Sequence, residues 1–271
     1  MKPFIGRDTQ LCMSLSGRPG NFGSRFHNHL YEALGLDFVY KAFTTTDLPG
    51  AVTGIRALSI RGCAVSMPFK EAVIALLDGL DGSADVISSV NTIVNDNGRL
   101  TGHNTDYSAA RKLLEDADLP SDTPFLLRGS GGMAKAVTAA LRDVGLTNGT
   151  IVARNEAAGR SLADLYGYQW RADLPETGTA LLVNVTPLGM AGGDEDALAF
   201  PEVMIAACDT AFDVVALPAE TPFLRRAESH GKRRITGAEV AVLQAVEQFV
   251  LYTGLRPSAD QIAAAADFAR S

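Results

Sequence analysis

Nowhere in the 271-residue sequence does an apolar run approach the roughly 18–20 residues a bilayer-spanning helix needs. The opening residues MKPFIGRDTQ lack the apolar core and small-residue cleavage site of a secretory signal, so a cytoplasmic protein with no membrane partner is expected. Cysteine is scarce. Cys12, Cys63 and Cys208 stand far apart, odd in number and in apolar surroundings, which points to buried thiols rather than disulfides, ligands or nucleophiles. His27 and His29, among only four histidines, lie two apart and so on different faces of a helix, and no metal site is expected. Positive charge is short as well: 24 Lys and Arg against 31 Asp and Glu leave a net charge of −7. Without surplus cations to neutralise phosphates, nucleic acid is not expected as a partner, and an anionic ligand must be held locally.

What remains is an ordinary folded composition, 46% hydrophobic and 20% charged, with no repeat or low-complexity tract. Strand-like and helix-like runs alternate throughout, the pattern of α/β layers around a mainly parallel sheet. Strands are expected near Gln10–Ser14, Phe38–Phe43 and Gly62–Val65, with helices over Asn28–Leu34 and Pro49–Leu58, the latter followed by the apolar stretch Phe69–Leu77. Thr92–Asn95 and Leu100–His103 flank Asp96-Asn97-Gly98 as a hairpin. A helix follows Asp106 as far as about Asp116, and Asp118–Pro124 reads as the connection to a second unit. That unit opens with strand Pro124–Leu127, helix Ala134–Val144, strand Gly149–Val152 and a helix near Ala157–Tyr166, then buried-strand patterns at Ala180–Asn184 and Ala211–Val215. Gly237–Leu251 carries Val240, Leu243, Val246, Phe249 and Val250 at helical spacing and must pack on something.

The most informative turn is FLLRGSGGMAKAV. Gly129, Gly131 and Ala134 fit the G-x-G-x-x-(G/A) spacing between a strand and a helix. The first Gly permits a tight turn, the second lets a pyrophosphate approach the backbone, and the small third residue lets helix pack on strand. Ser130, Gly132 and Met133 complete a helix N-terminus whose free N–H groups and dipole favour phosphate. At the end of the next strand stands Arg154, where an acidic residue would bind the ribose of NAD. A guanidinium suits a ribose 2′-phosphate, so NADP is the expected cofactor.

Three polar clusters precede this unit. Ser14 and Ser16 share a face at strand spacing and can bind an anion or hydroxyl, or serve a turn. Lys70 follows SMPF, either as an acid–base group or as a snorkelling helix lysine. Asn91 begins a strand and Asp106 a helix, where Asp106 can equally be a first-turn acid.

Taken in order, SxS, V-S-M-PFK, VNT, NTD and GxGG resemble the shikimate dehydrogenase family, and the resemblance continues through VARN, VNVTPLGM, FDVVALPAETPFLRRA and GAEVAVLQAVEQFVLYTG. It implies a discontinuous N-terminal substrate domain, residues 1–107 and 238–271, joined to a Rossmann-type doubly wound NADP-binding domain, residues 108–237. It implies an oxidoreductase of aromatic amino acid biosynthesis that interconverts 3-dehydroshikimate and shikimate or a similar cyclic acid, as monomer or homodimer and without metal. Ser14 and Ser16 would bind the substrate carboxylate. Ser66, Asn91, Asp106 and Gln244 would bind ring hydroxyls, and Lys70 with Asp106 would form the catalytic pair. Arg154, Asn155 and Thr186 join the glycine turn as cofactor-binding residues.

The sequence departs from the family pattern at several places. GRPGNFGSRF makes a longer link from SxS to His27-Asn28; Ala64 and Ser66 replace Asn and Thr before PFK; Ala216 stands where Tyr is expected; and Val240-Ala241-Val242 replaces M-L-V. The chemistry is thus expected to be kept better than the pocket's shape, leaving quinate or an aminated analogue as alternative substrates. A non-catalytic NADP- or metabolite-binding regulator is the alternative from another class. A methylene-tetrahydrofolate-type dehydrogenase shares the broad architecture but is disfavoured by SxS and NTD.

Overall fold

In a computed structural model, which describes residues 4–271, the chain divides into two compact units. One contains the residues up to Thr105 together with Val242–Ser271, and the other is Asp106–Ala241.

The first unit begins β1 (Gln10–Leu15), α1 (Phe22–Ala33), β2 (Phe38–Phe43), α2 (Leu48–Ala57) and β3 (Gly62–Val65). Asp47 caps α2 by accepting from Gly50 N–H at 2.9 Å, with Pro49 in the first turn. Phe69–Leu77 forms no α-helix: it folds into turns that end in a single 3₁₀ turn, Ile74–Leu76. Then come β4 (Gly79–Leu80), the one-turn α3 (Gly82–Asp85), and the hairpin β5 (Thr92–Asp96) and β6 (Arg99–His103). Its turn holds Asn97 at φ 53° and Gly98 at φ 92°, the left-handed pair that a two-residue hairpin requires.

α4 (Thr105–Ala117) leads into the second unit: β7 (Phe125–Arg128), α5 (Gly132–Asp143), β8 (Gly149–Val152), α6 (Glu156–Tyr166), β9 (Gln169–Arg171), β10 (Leu181–Asn184), α7 (Glu202–Ala207), β11 (Thr210–Asp213), α8 (Pro222–Ser229) and β12 (Arg233–Ile235). α9 (Gly237–Thr253) and α10 (Ala259–Arg270) complete the chain.

The first sheet has the order β2-β1-β3-β5-β6-β4, parallel except where β5 pairs antiparallel with β3 and β6. α1, α9 and α10 cover one face, with Phe26, Leu30, Tyr31, Phe249 and Tyr252 fully buried. Gly62 permits the approach: a Cβ there would lie 2.1 Å from the Tyr252 ring.

The second sheet is parallel throughout, in the order β12-β11-β10-β7-β8-β9. In chain order its strands run first outward from β7 to β9 and then in the other direction from β10 to β12. This is the doubly wound Rossmann arrangement, whose switch point lies between β7 and β10 and which binds ligands at the strands' carboxyl ends. The expected fold class, with a discontinuous first domain and a Rossmann-type second one, is borne out.

α1 alters one expectation. It begins at Phe22 rather than Asn28, so half of the long link after Ser16 is helix and only residues 17–21 form loop. Phe22 and Phe26, stacked at 5.7 Å, extend the apolar stripe of Leu30 by a further turn, which makes helix the better-packed state for this stretch.

Candidate active site

β1 and β3 are parallel neighbours, with Leu15 opposite Val65, so their carboxyl ends bring Ser14, Ser16 and Ser66 to one edge of the first sheet. Ser66 N–H donates to Leu15 C=O at 2.9 Å, and the Gly17 N–H donates to Met67 C=O at 2.9 Å, which pins the loop after Ser16 to the SMPF turn. β5 runs the other way and therefore places its start at the same edge. Val65 N–H donates to Asn91 C=O at 2.7 Å, and Val90 N–H donates to Lys70 C=O at 2.9 Å. The Lys70 backbone is thereby tied to the segment that leads through Asn91 into β5.

Asn91 also organises the start of α4. Its Oδ1 accepts from Thr105 N–H at 2.8 Å, from Thr105 Oγ1 at 3.2 Å and from Thr92 Oγ1 at 2.8 Å. Asp106 follows Thr105 directly, half-buried in the first turn of that helix. Asn91 Nδ2 and Ser16 Oγ, both buried, have no hydrogen-bond partner. Buried polar groups are nearly always paired, so these two atoms at one end of the sheet remain available to a polar ligand.

Gln244 is half-buried on α9, while the glutamine one turn later, Gln248, is buried and donates to Thr92 Oγ1 at 3.0 Å and Asn91 C=O at 3.4 Å. The sequence reading missed Gln248 and Thr92. The only sequence signal for Gln248 was a polar residue among apolar ones on a helix that must be buried, and Thr92, at the start of β5, had none.

The glycine turn of the second unit lies at the switch point. Gly129 takes φ 127°, and a Cβ there would lie 2.8 Å from Val185 Cγ2 and 3.2 Å from Thr186 Cγ2. Gly131 caps α5 without a side-chain hydrogen bond, and open space surrounds the Cβ positions of Gly131 and Gly132. Ala134 is fully buried against the sheet. Ser130 and Met133 are half-buried beside the turn, and Arg154 stands exposed just beyond β8. An uncapped helix N-terminus, glycines that leave room for a phosphate, and an exposed guanidinium just beyond β8 fit NADP.

Arg128, just before the turn, was not foreseen. It donates to Ala199 C=O, and burial together with nearby Arg154 lowers its pKa, so a second guanidinium sits close to the first. Two other expected residues are engaged locally. Asn155 Oδ1 caps α6 by accepting from Ala158 N–H at 3.1 Å, and the Thr186 hydroxyl donates to Asn184 Oδ1 at 2.6 Å. Among the described residues no cluster of His, Cys, Asp and Glu has the arrangement of a metal site, and the three cysteines are free and buried. No helix among them is long and apolar enough to cross a membrane.

The family model described as the shikimate dehydrogenase substrate binding domain matches residues 22–93. A shikimate dehydrogenase-like protein of Haemophilus influenzae is 57% identical over 98% of this chain and 99% of its own length. The chain belongs to the shikimate dehydrogenase family. Within this family of NADP-dependent oxidoreductases, the shikimate dehydrogenase (NADP(+)) of Desulforamulus reducens is 35% identical over 94% of both chains. The solved structure of shikimate 5-dehydrogenase from Thermus thermophilus, in complex with NADP(H) and shikimate, has 32% sequence identity and a TM-score of 0.84, covering 96% of this chain and 100% of that one. The expected family and fold are thereby established, and the shikimate dehydrogenase-like character of the Haemophilus influenzae relative accords with the pattern departures in the sequence.

Proposed function

We propose that this chain reversibly interconverts 3-dehydroshikimate and shikimate, or a close cyclic hydroxy acid, with Lys70 and Asp106 handling the proton. The reading rests chiefly on the unpartnered Nδ2 of buried Asn91, which points to a ligand hydroxyl at the sheet edge that also carries Ser14, Ser16 and Ser66. Leaving such a donor unpaired costs about 1–3 kcal/mol, a cost that a bound hydroxyl offsets.

In this reading residues 1–107 and 238–271 form the substrate and catalytic domain, and 108–237 hold NADP. Ser14 and Ser16 anchor the carboxylate, while Ser66, Asn91, Asp106 and Gln244 hold ring hydroxyls. The turn from Gly129 to Ala134, with Arg154, Asn155 and Thr186, holds NADP, which when bound supplies the hydride acceptor or donor. Lys70 gives a proton to the carbonyl oxygen as it is reduced and takes it back as the alcohol is oxidised. The Asp106 carboxylate orients the Lys70 amine. Ala216, exposed after β11, offers neither ring nor hydroxyl where the family pattern has Tyr, so substrate preference within the class is the open variable.

The test is the initial rate of NADP reduction with saturating shikimate, alongside quinate, an aminated analogue, NAD and the Lys70→Ala variant. A rate with shikimate that falls about 10²–10⁴-fold in Lys70→Ala is expected, the usual contribution of a positioned acid–base group. A Lys70-dependent rate confined to quinate or the amine would move the substrate. No turnover despite measurable NADP binding would replace this reading with that of a binding regulator.

A further inference from the structure

We propose that Gln248 is a positioning residue for the ligand site, acting through Thr92 to fix which way the Asn91 amide faces. Gln248 makes no hydrogen bond to Asn91 Nδ2. Its effect follows from the direction of the hydrogen bonds.

Gln248 Nε2 can only donate, and it donates to Thr92 Oγ1 at 3.0 Å. With that donor on one lone pair, the Thr92 hydroxyl directs its own proton to Asn91 Oδ1, 2.8 Å away. Asn91 Oδ1 then faces three donors, since Thr105 contributes its N–H at 2.8 Å and its hydroxyl at 3.2 Å. A flipped amide would set Nδ2 against all three donors, so the Thr92 hydroxyl that Gln248 aims, together with Thr105, keeps the oxygen inward and Nδ2 outward. Gln248 is 4% exposed and Asn91 2%, so water does not compete for these bonds. The second Gln248 N–H reaches Asn91 C=O at 3.4 Å, which ties the backbone of the same residue to α9.

The sequence pattern placed the functional glutamine at Gln244, whereas the polar chain that reaches Asn91 starts one turn later. The assignment rests on the proposed function only for the identity of the ligand; the orientation of the Asn91 amide is a property of the free protein.

The experiment therefore has two readouts, taken on the full chain. The first is the Asn91 side-chain amide in nitrogen-15 NMR spectra without ligand. The wild type is expected to show one slowly exchanging pair of amide protons, and Gln248→Met, which keeps the length but loses both donors, is expected to broaden or split it. The second is the dissociation constant for shikimate. Gln248→Met is expected to weaken it about tenfold, the scale of one hydrogen bond lost, while NADP affinity stays unchanged. Gln248→Met added to Asn91→Ala is expected to cost nothing more than Asn91→Ala alone, whereas a purely structural role would cost the same in both backgrounds.

Thr92→Val should reproduce Gln248→Met and Thr92→Ser should restore wild-type values, which keeps the test open should Gln248→Met fold poorly. An Asn91 amide signal and a shikimate affinity unmoved by Gln248→Met and Thr92→Val would overturn the proposal. Ordered Asn91 protons that are freed in the variants, in a protein that binds no shikimate, would uphold the positioning role and defeat the substrate reading instead.

Discussion

Single residues of this protein carry chemical roles that depend on what surrounds them. Arg154, proposed above to hold the ribose 2′-phosphate, is exposed just beyond β8, beside a second guanidinium at Arg128 that burial and mutual repulsion make less basic. A 2′-phosphate would relieve that repulsion, and the plain ribose of NAD would not. Arg154→Ala is therefore predicted to lower kcat/KM for NADP about tenfold or more, the scale of one charge-assisted hydrogen bond, and to leave the NAD value within about twofold. Equal losses with both cofactors would mean that Arg154 serves the turn rather than the phosphate. Glycine is equally specific at Gly129, where φ 127° and Val185 Cγ2 at 2.8 Å from a notional Cβ exclude any side chain.

Among the elements, α9 does most to complete the first unit, because Tyr252 and Phe249 at its far end lie over β1 and β3, with Gly62 directly beneath the Tyr252 ring. Gly62→Ala is predicted to destabilise that unit by about 1–3 kcal/mol, the usual cost of overpacking a filled core. Denaturant unfolding followed through tyrosine absorbance would check it, and an unchanged midpoint would mean that the ring moves aside freely. α10 shows how an element escapes a reading based on apolar periodicity. Its sequence ADQIAAAADFAR has only a small apolar face, and it is specified by a capping box, with Ser258 N–H donating to Gln261 Oε1 at 2.9 Å, and by Ala265, Ala266 and Ala269 buried beside α1. β9 and β12 are three-residue edge strands whose identity comes from β8 and β11, to which they are bonded.

For the molecule as a whole, two buried groups give stability opposite dependences on pH. His27 is fully buried, stacked on Tyr40 at 4.5 Å, and burial lowers its pKa to about 3. The folded chain cannot take up the proton that the unfolded chain binds below pH 6.5, so the stability associated with neutral His27 is intact above that value and lost as pH falls toward 3. At pH 5 the loss amounts to roughly 2 kcal/mol. Asp213, buried in the other unit, is pushed up to about 6, so its contribution grows as pH falls from about 6 toward 3.8. Comparing unfolding free energies at pH 7.5 and 5 for wild type and His27→Phe isolates the histidine. The variant is predicted to lose less on acidification, and an identical loss in both proteins would contradict a proton-excluding core around His27.

The sequence alone determined the doubly wound second unit, because parallel strands buried on both faces need continuous apolar runs such as FLL and LLV, and because the turn between β7 and α5 can only be made with glycine where φ is positive. It also determined which polar residues stand at the ends of elements: Ser14 and Ser16 close β1, Ser66 follows β3, Asn91 precedes β5 and Asp106 opens α4, whereas Lys70 lies among turns beyond β3. Only the tertiary structure decided that α1 begins at Phe22, which gains from helix once the α9 core is beside it. It alone also singled out Gln248, because nothing local distinguishes Gln248 from Gln244. The pairing of Gln248 with Thr92 spans 156 positions of sequence, and a hydrogen bond of that separation exists only after α9 has packed on the sheet.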